Sequence, residues 1–308
     1  MGDRTGIGWT EATWNPVTGC TEVSAGCDRC YAKSLAERFR GVAGHYFTDG
    51  FDVVLRPDKL DQPTRWTKPR MIFVNSMSDL FHDDVEDDFI ARAWAVMATS
   101  AVHTFQVLTK RHARMRSLLS SDHFRAAVNA HRATYAAAPP SRAMFGPEVW
   151  PLPNVWVGVS VENQQWADAR IPYLLRTPAA VRFLSCEPLL GKVDLLAGQG
   201  RDGHLTGAGV SPGAGIGWVI AGGESGPGAR LMDPAWARLL RDQCASAGVP
   251  FFFKQAGTSL ASRWGLPGKG EDPTGWPEHF PQESPAPTGA AAGVASSPSS
   301  TATTLEEN

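Results

Sequence analysis

The sequence predicts an α/β fold, a partial or complete (β/α) barrel of about six to seven parallel strands. Three observations point there: short apolar runs recur along the chain, they are continuous rather than alternating, and helical patterns lie between them. Unbroken apolar runs are what strands show when both faces of a parallel sheet are covered. Strand, helix, strand in regular succession is the pattern of right-handed βαβ units. A doubly wound open sheet is the alternative that the same rhythm allows.

Taken in order, a first strand is expected within 7–14, and six more at 71–75, 104–108, 155–161, 181–186, 218–221 and 251–254. Helical patterns occupy 32–39, 85–101, 111–119, 165–175 and 234–247. Asp233 suits the N-cap of the last of these and Pro234 its first position. Three stretches break the rhythm. Residues 120–153 hold a helical pattern at 123–137, then Pro139-Pro140 and Pro151-Leu152-Pro153, and read as an insertion. Residues 197–217 are Gly-rich and read as a surface loop. Residues 281–308 are mostly Pro, Ala, Ser, Thr and Gly, too poor in large apolar side chains to offset their conformational entropy, and read as a disordered tail. The expected organisation is one barrel domain over 1–280 followed by that tail.

Composition narrows the function classes. The chain has 308 residues, 43% hydrophobic and 19% charged, with a formal net charge of −2. Nothing in that balance draws it to nucleic acid or an anionic membrane, so such binding must rest on a local patch. The longest apolar runs, 155–161 and 249–253, fall far short of the roughly 20 residues that span a bilayer. The N-terminal residues lack a basic and then apolar leader. Five cysteines are an odd number, and three lie within 20–30, which suits a reducing cytoplasm better than a secreted disulfide framework.

Polar side chains gather at the C-terminal ends of the expected strands: Asn75, Ser76, Ser78 and Asp79; Thr109, Lys110 and Arg111; Ser160, Glu162 and Asn163; Ser185 and Glu187; Glu224 and Ser225; Lys254 and Gln255. Strands turn polar wherever they leave a core. Recurrence over six strands, with three glutamates, argues instead for one mouth, the place where βα barrels build their sites.

The strongest motif is Cys20, Cys27 and Cys30, spaced Cys-x6-Cys-x2-Cys between the first strand and the first helix. Pro16, Gly19 and Gly26 let that loop fold three thiolates round one centre. Structural zinc takes four closed ligands, so a zinc reading needs a fourth donor such as His45 or Cys186. A four-iron cluster on three cysteines leaves one iron open for a ligand. Three unrelated buried cysteines fit a Gly-Pro loop with polar neighbours poorly.

A cysteine triad after the first strand of a βα barrel resembles the radical S-adenosylmethionine (SAM) superfamily. The segment Trp9-Thr10-Glu11-Ala12-Thr13-Trp14-Asn15-Pro16-Val17-Thr18-Gly19-Cys20 is similar to a phage-associated family of unknown function with a three-Cys motif. So are Val159-Ser160-Val161-Glu162-Asn163, Cys186-Glu187-Pro188-Leu189-Leu190-Gly191, Gly222-Gly223-Glu224-Ser225-Gly226-Pro227 and Phe252-Phe253-Lys254-Gln255. The resemblance runs from about residue 7 to 257. It implies a radical SAM-type (β/α) barrel with a [4Fe-4S] cluster on Cys20, Cys27 and Cys30, and SAM chelating the fourth iron. It also implies reductive cleavage of SAM to a 5′-deoxyadenosyl radical acting on a substrate, with nucleic acid suggested by the phage setting. An electron donor such as flavodoxin or ferredoxin follows from that chemistry. The superfamily's commonest spacing is Cys-x3-Cys-x2-Cys, and the aromatic residue that usually precedes the third cysteine is here Arg29, with Tyr31 after it.

Ser160, Glu162, Glu187, Gly222, Gly223, Glu224 and Lys110 are the candidate SAM or substrate contacts. Gly222-Gly223-Glu224 resembles a motif that holds the SAM amino group, but that motif usually follows the second strand. Two glycines at a strand end permit close approach of backbone to ligand, or simply a tight turn. The cations of 110–116 sit at a helix start, where the dipole disfavours them and an anionic partner would help. Cys244 reads as core and Cys186 as a reactive thiol at the mouth.

Two other classes compete. Glu162, Glu187 and Glu224, joined by Asp79 and His82, would make a divalent-metal hydrolase or isomerase with the cysteines as a zinc staple. A non-catalytic nucleic-acid-binding module would use Trp9, Trp14 and Trp66 to stack bases.

Overall fold

The structure is a computed structural model that describes residues 5–136, 144–196, 205 and 215–288. Seven parallel strands form one sheet: β1 (Ala12–Trp14), β4 (Met71–Val74), β5 (Thr104–Thr109), β6 (Val155–Ser160), β7 (Val181–Cys186), β8 (Ile216–Gly222) and β9 (Phe251–Gln255), in that spatial order. The labels β2 (Val17–Thr18) and β3 (Val54–Leu55) belong to a small antiparallel pair beside the sheet. Helices are α1 (Tyr31–Glu37), α2 (Asp87–Thr99), α3 (His112–Leu119), α4 (Asp122–Tyr135), α5 (Gln164–Leu175), α6 (Pro234–Ala247) and α7 (Thr258–Arg263). No helix among the described residues is long and apolar enough to cross a membrane.

The sheet is a partial barrel. Strands β4 and β8 are four steps apart, about 19 Å if the sheet were flat. Yet the Trp9 ring lies 4.7 Å from Phe73 of β4 and 6.0 Å from Trp218 of β8, so the sheet curls round its own concave face. Trp9, Phe73, Trp156, Phe183, Trp218, Ile220 and Phe252 fill that face with rings. Residues of opposite parity face the helices and form the larger apolar core. Edge strands β1 and β9 share no ladder. Near the N-terminal ends of the strands a Cβ on Gly8 would lie 3.6 Å from Phe252 of β9, so the segment before β1 bridges the edges there.

Most expected elements are present within a residue or two. The first strand is shorter, because 7–10 form a turn closed by Thr10 N–H to the Ile7 carbonyl (3.2 Å). What reads as an insertion at 120–153 is, in its described part, an outer-layer helix: Phe124 and Val128 of α4 are buried, and the Phe124 ring stands edge-on to Trp94 of α2. The tail read as starting at 281 packs as far as residue 288. Gln282 pairs antiparallel with Phe252, the Glu283 carbonyl accepts Trp218 Nε1 (2.8 Å), and Thr288 Oγ1 accepts Trp156 Nε1 (2.7 Å). It therefore satisfies the indole N–H groups of Trp156 and Trp218 in the barrel floor. Residues 289–308, and nearly all of the Gly-rich loop at 197–217, lie outside the described residues.

Trp14 and Trp66 are core residues, with the Trp14 Nε1 donating to the Lys59 carbonyl (2.7 Å). Trp9 is 5% exposed, at the barrel floor. None of the three offers an outer face for stacking bases, contrary to what a binding module would need.

Candidate functional site

At the C-terminal ends of the strands, a cavity of about 380 Å³ opens into the barrel. Its floor includes Trp9 and Phe73, and its wall Asn75, Ser160, Ser185, Glu187, Lys254 and Gln255. Cys20, Cys27 and Cys30, all free thiols and partly buried, line the same cavity. This is the convergence that strand-end polarity predicts.

The cysteine loop is tied down on several sides. Gly19 takes φ +85°, its N–H donates to the Met77 carbonyl (3.0 Å), and Cys20 N–H donates to the Phe51 carbonyl (3.2 Å). Thr21 Oγ1 meets His82 Nε2 (2.8 Å) and accepts Arg111 Nη2 (2.7 Å). Ser24 Oγ donates to Glu162 Oε1 (2.6 Å). Arg230 donates to the Ala25 carbonyl (2.8 Å) and to Asp28 (3.2 Å), linking the loop to β8 through Glu224. Tyr31 Oη donates to the Ser76 carbonyl (2.6 Å). Burial, then Asp79, pushes the Cys20 thiol up to about 11, against the pull of Arg111.

Asn75 is the unexplained residue on the wall. It ends β4, the second barrel strand, with φ +59°, is 3% exposed, and neither atom of its amide has a hydrogen-bond partner. Asn tolerates the left-handed region better than most residues, but a buried amide with no partner costs free energy unless something meets it. Oε1 of Gln255 is likewise buried without a partner, while its Nε2 donates to the Gly223 carbonyl (3.0 Å).

The remaining candidates divide. Ser160, Glu187, Lys110, Gly223 and Glu224 line the cavity. Lys254 Nζ lies 3.2 Å from Glu187. Glu162 does not line it: the carboxylate is wholly buried behind the wall, accepting Ser24 Oγ, Lys110 Nζ (3.1 Å) and Arg170 Nη1 (2.8 Å). Burial alone would raise its pKa, but Lys110 and Arg170 hold it below the ordinary carboxylate range. Gly222 also stands behind the wall, where a Cβ would meet Glu187 Oε1 at 2.7 Å. A Cβ on Gly223 would strike the Ala256 carbonyl at 2.1 Å, so packing of β8 on the loop after β9 already requires that glycine.

Several expectations are corrected here. Glu162, Glu187 and Glu224 do not converge on a cation, because each faces its own lysine or arginine. Among the described residues no three His, Cys, Asp or Glu side chains form a set that could hold a single metal ion. The fourth zinc donors are elsewhere: His45 stacks on Phe39 (3.8 Å), and Cys186 is sealed in the helix-facing core. Complete burial raises the Cys186 thiol well above its usual range, so it is an inert core residue, not a reactive one. Cys244 is core as expected, its thiol pushed up to about 12 by burial. Three of the cations at the start of α3 find partners within the protein: Lys110 Nζ pairs with Glu162 (3.1 Å), Arg111 with Asp83 (3.3 Å) and Arg114 with Asp87.

Ser24, Arg170 and Arg230 escaped the sequence reading. Arg170 had a signal: it stands in the apolar stripe Ala167, Ile171, Leu174 of α5, and an arginine at a core position demands a buried acid.

A family model described as "Protein of unknown function (DUF5131)" matches residues 4–289. The chain belongs to the DUF5131 family. No curated protein matches it. Among solved structures, this DUF5131 chain is similar to spore photoproduct lyase. A mutant with bound S-adenosylmethionine and dinucleoside spore photoproduct gives 11% identity and TM-score 0.40, covering 80% of this chain and 64% of that one. The lyase complexed with dinucleoside spore photoproduct gives 12% and 0.37, covering 75% and 60%. A Cys-to-Ser mutant gives 14% and 0.39, covering 80% and 64%. The chain thus spans under two thirds of the length of these lyases. Likeness this loose fixes neither cofactor nor substrate.

Proposed function

We propose that this DUF5131 protein is an iron–sulfur enzyme of the radical SAM type, with the cluster held by Cys20, Cys27 and Cys30. The observation that carries the reading is the common cavity: three free thiols from one loop face the polar strand ends of a partial barrel. The donor set suits the group. Three thiols that line one cavity match in number a cluster whose irons take one thiolate each and leave one iron free. Bound there, the cluster and SAM would supply electron-driven cleavage to a 5′-deoxyadenosyl radical that takes hydrogen from the substrate.

The chain's own residues bind, orient and exclude water. Asn75 and Ser76 end the second barrel strand, where the resemblance puts the group that holds the SAM amino nitrogen, and the Asn75 amide is free to accept from it. Gln255 Oε1 offers a second acceptor. Lys110, Glu187, Glu224 and Ser160 supply charge and hydroxyl for the SAM carboxylate, ribose or substrate. Glu162, Gly222 and Gly223 support the wall. Trp9 and Phe73 keep the floor dry. The substrate class we favour is nucleic acid, in a phage setting, with a flavodoxin or ferredoxin as electron donor and a reducing cytoplasm for five free thiols.

The test is anaerobic reconstitution, reduction, and assay for 5′-deoxyadenosine. Wild type is expected to form it and Cys27→Ala to form none. Product from both, or none from fully loaded wild type, rejects SAM cleavage at this triad.

A further inference from the structure

The loop of the three cysteines has two anchors of different kinds. Cys20 is held by backbone: Gly19 N–H to Met77, Cys20 N–H to Phe51, and a bridge from Gly19 to Ser78. Cys27 hangs from a side-chain anchor. Ser24 caps the single 3₁₀ turn Ala25–Cys27, and its carbonyl accepts the Cys27 N–H at 2.7 Å. Val23 N–H donates to the Cys27 sulfur at 3.5 Å. The Ser24 hydroxyl is spent at 2.6 Å on Glu162, whose other contacts are Lys110 of the cavity wall and Arg170 of α5. Gly26 seats against the same carboxylate, since a Cβ there would lie 2.5 Å from Glu162 Oε1. Any larger residue next to Cys27 would lift the turn off its anchor.

We infer that Glu162, through Ser24, is a positioning residue that fixes where Cys27 presents its sulfur, independently of Cys20. A carboxylate that is wholly buried and neutralised from two sides cannot turn to solvent, so its third contact is held in direction as well as distance. Arg230 also holds this turn at the Ala25 carbonyl (2.8 Å), from its pair with Glu224, while its contact with the exposed Asp28 is worth little. The inference rests on the cluster reading for its purpose, but its geometry can be tested in the metal-free chain.

The experiment alkylates the full-length metal-free protein with iodoacetamide and follows each cysteine by mass spectrometry. Removing a hydrogen bond to a charged group shifts a local opening equilibrium by roughly tenfold or more. Ser24→Ala is therefore expected to speed labelling of Cys27 by about that factor and leave Cys20 unchanged, and Ser24→Thr to restore the wild-type rate. Glu162→Gln keeps an acceptor for Ser24 but loses the charge, so it should speed Cys27 less than Ser24→Ala does; should it unfold, the Ser24 pair still decides. Equal acceleration at Cys20 and Cys27, or none at either, overturns the inference. Iron content measured in parallel separates the two claims. A wild type that takes up no iron sinks the cluster reading while the labelling result stands. A loaded wild type with unaltered labelling in Ser24→Ala sinks only the positioning role.

Discussion

Trp218→Ala is expected to destabilise the protein by about 3–5 kcal/mol, the range for emptying a buried large aromatic site. The indole has no exposure and is the hub of the concave face: Trp156 and Phe183 lie 5.8 Å away, Trp9 6.0 Å and Phe252 6.3 Å. Its Nε1 also holds the Glu283 carbonyl, so truncation frees the segment that closes the floor. At roughly 2–4 °C per kcal/mol for a domain of this size class, the melting temperature should fall by about 6–20 °C. Trp218→Phe keeps a ring but loses the hydrogen bond, and should cost about 1 kcal/mol plus the unfilled volume. A melting temperature within 2 °C or so of wild type for Trp218→Ala would mean that the sheet does not curl round this residue.

Gly19→Ala is the second large effect, and it bears on the site. Two costs coincide. A side chain at φ +85° is strained by about 1–3 kcal/mol. The new Cβ would also lie 1.9 Å from the Asp52 carbonyl oxygen, forcing the 51–52 backbone away. That backbone accepts Cys20 N–H, so Cys20 moves with it. A loss of about 3 kcal/mol or more is expected, with weakened iron retention. Gly41→Ala is the control: φ is +77°, but nothing lies within 4 Å of its Cβ, so only the backbone cost of about 1–2 kcal/mol applies. Thermal unfolding of the pair decides. Equal losses would show that the Asp52 contact is absent.

The strands were legible because a curled parallel sheet buries both faces, and Val155 to Ser160 is buried throughout. The β2–β3 pair was not: two-residue strands carry no periodicity, and their pairing links residues 17 and 55 across a long excursion. The triad was visible because spacing is local. Its surroundings were less so, since a strand-end glutamate reads alike whether it faces a cavity, as Glu187 does, or a buried arginine, as Glu162 does. Likewise, nothing in Asn75-Ser76 announces an amide without a partner; that follows from the left-handed turn at the strand end. The packing of 281–288 is hidden from composition, which ignores backbone pairing, and Gln282 and Glu283 contribute mainly that.

The most direct measurement is iron and acid-labile sulfide per chain in anaerobically purified, reconstituted protein, with zinc measured alongside. The account predicts about four of each in wild type, and near none in a folded variant with Cys20, Cys27 and Cys30 all replaced by Ala. An iron-free wild type with stoichiometric zinc, or equal iron in the triple variant, would contradict it.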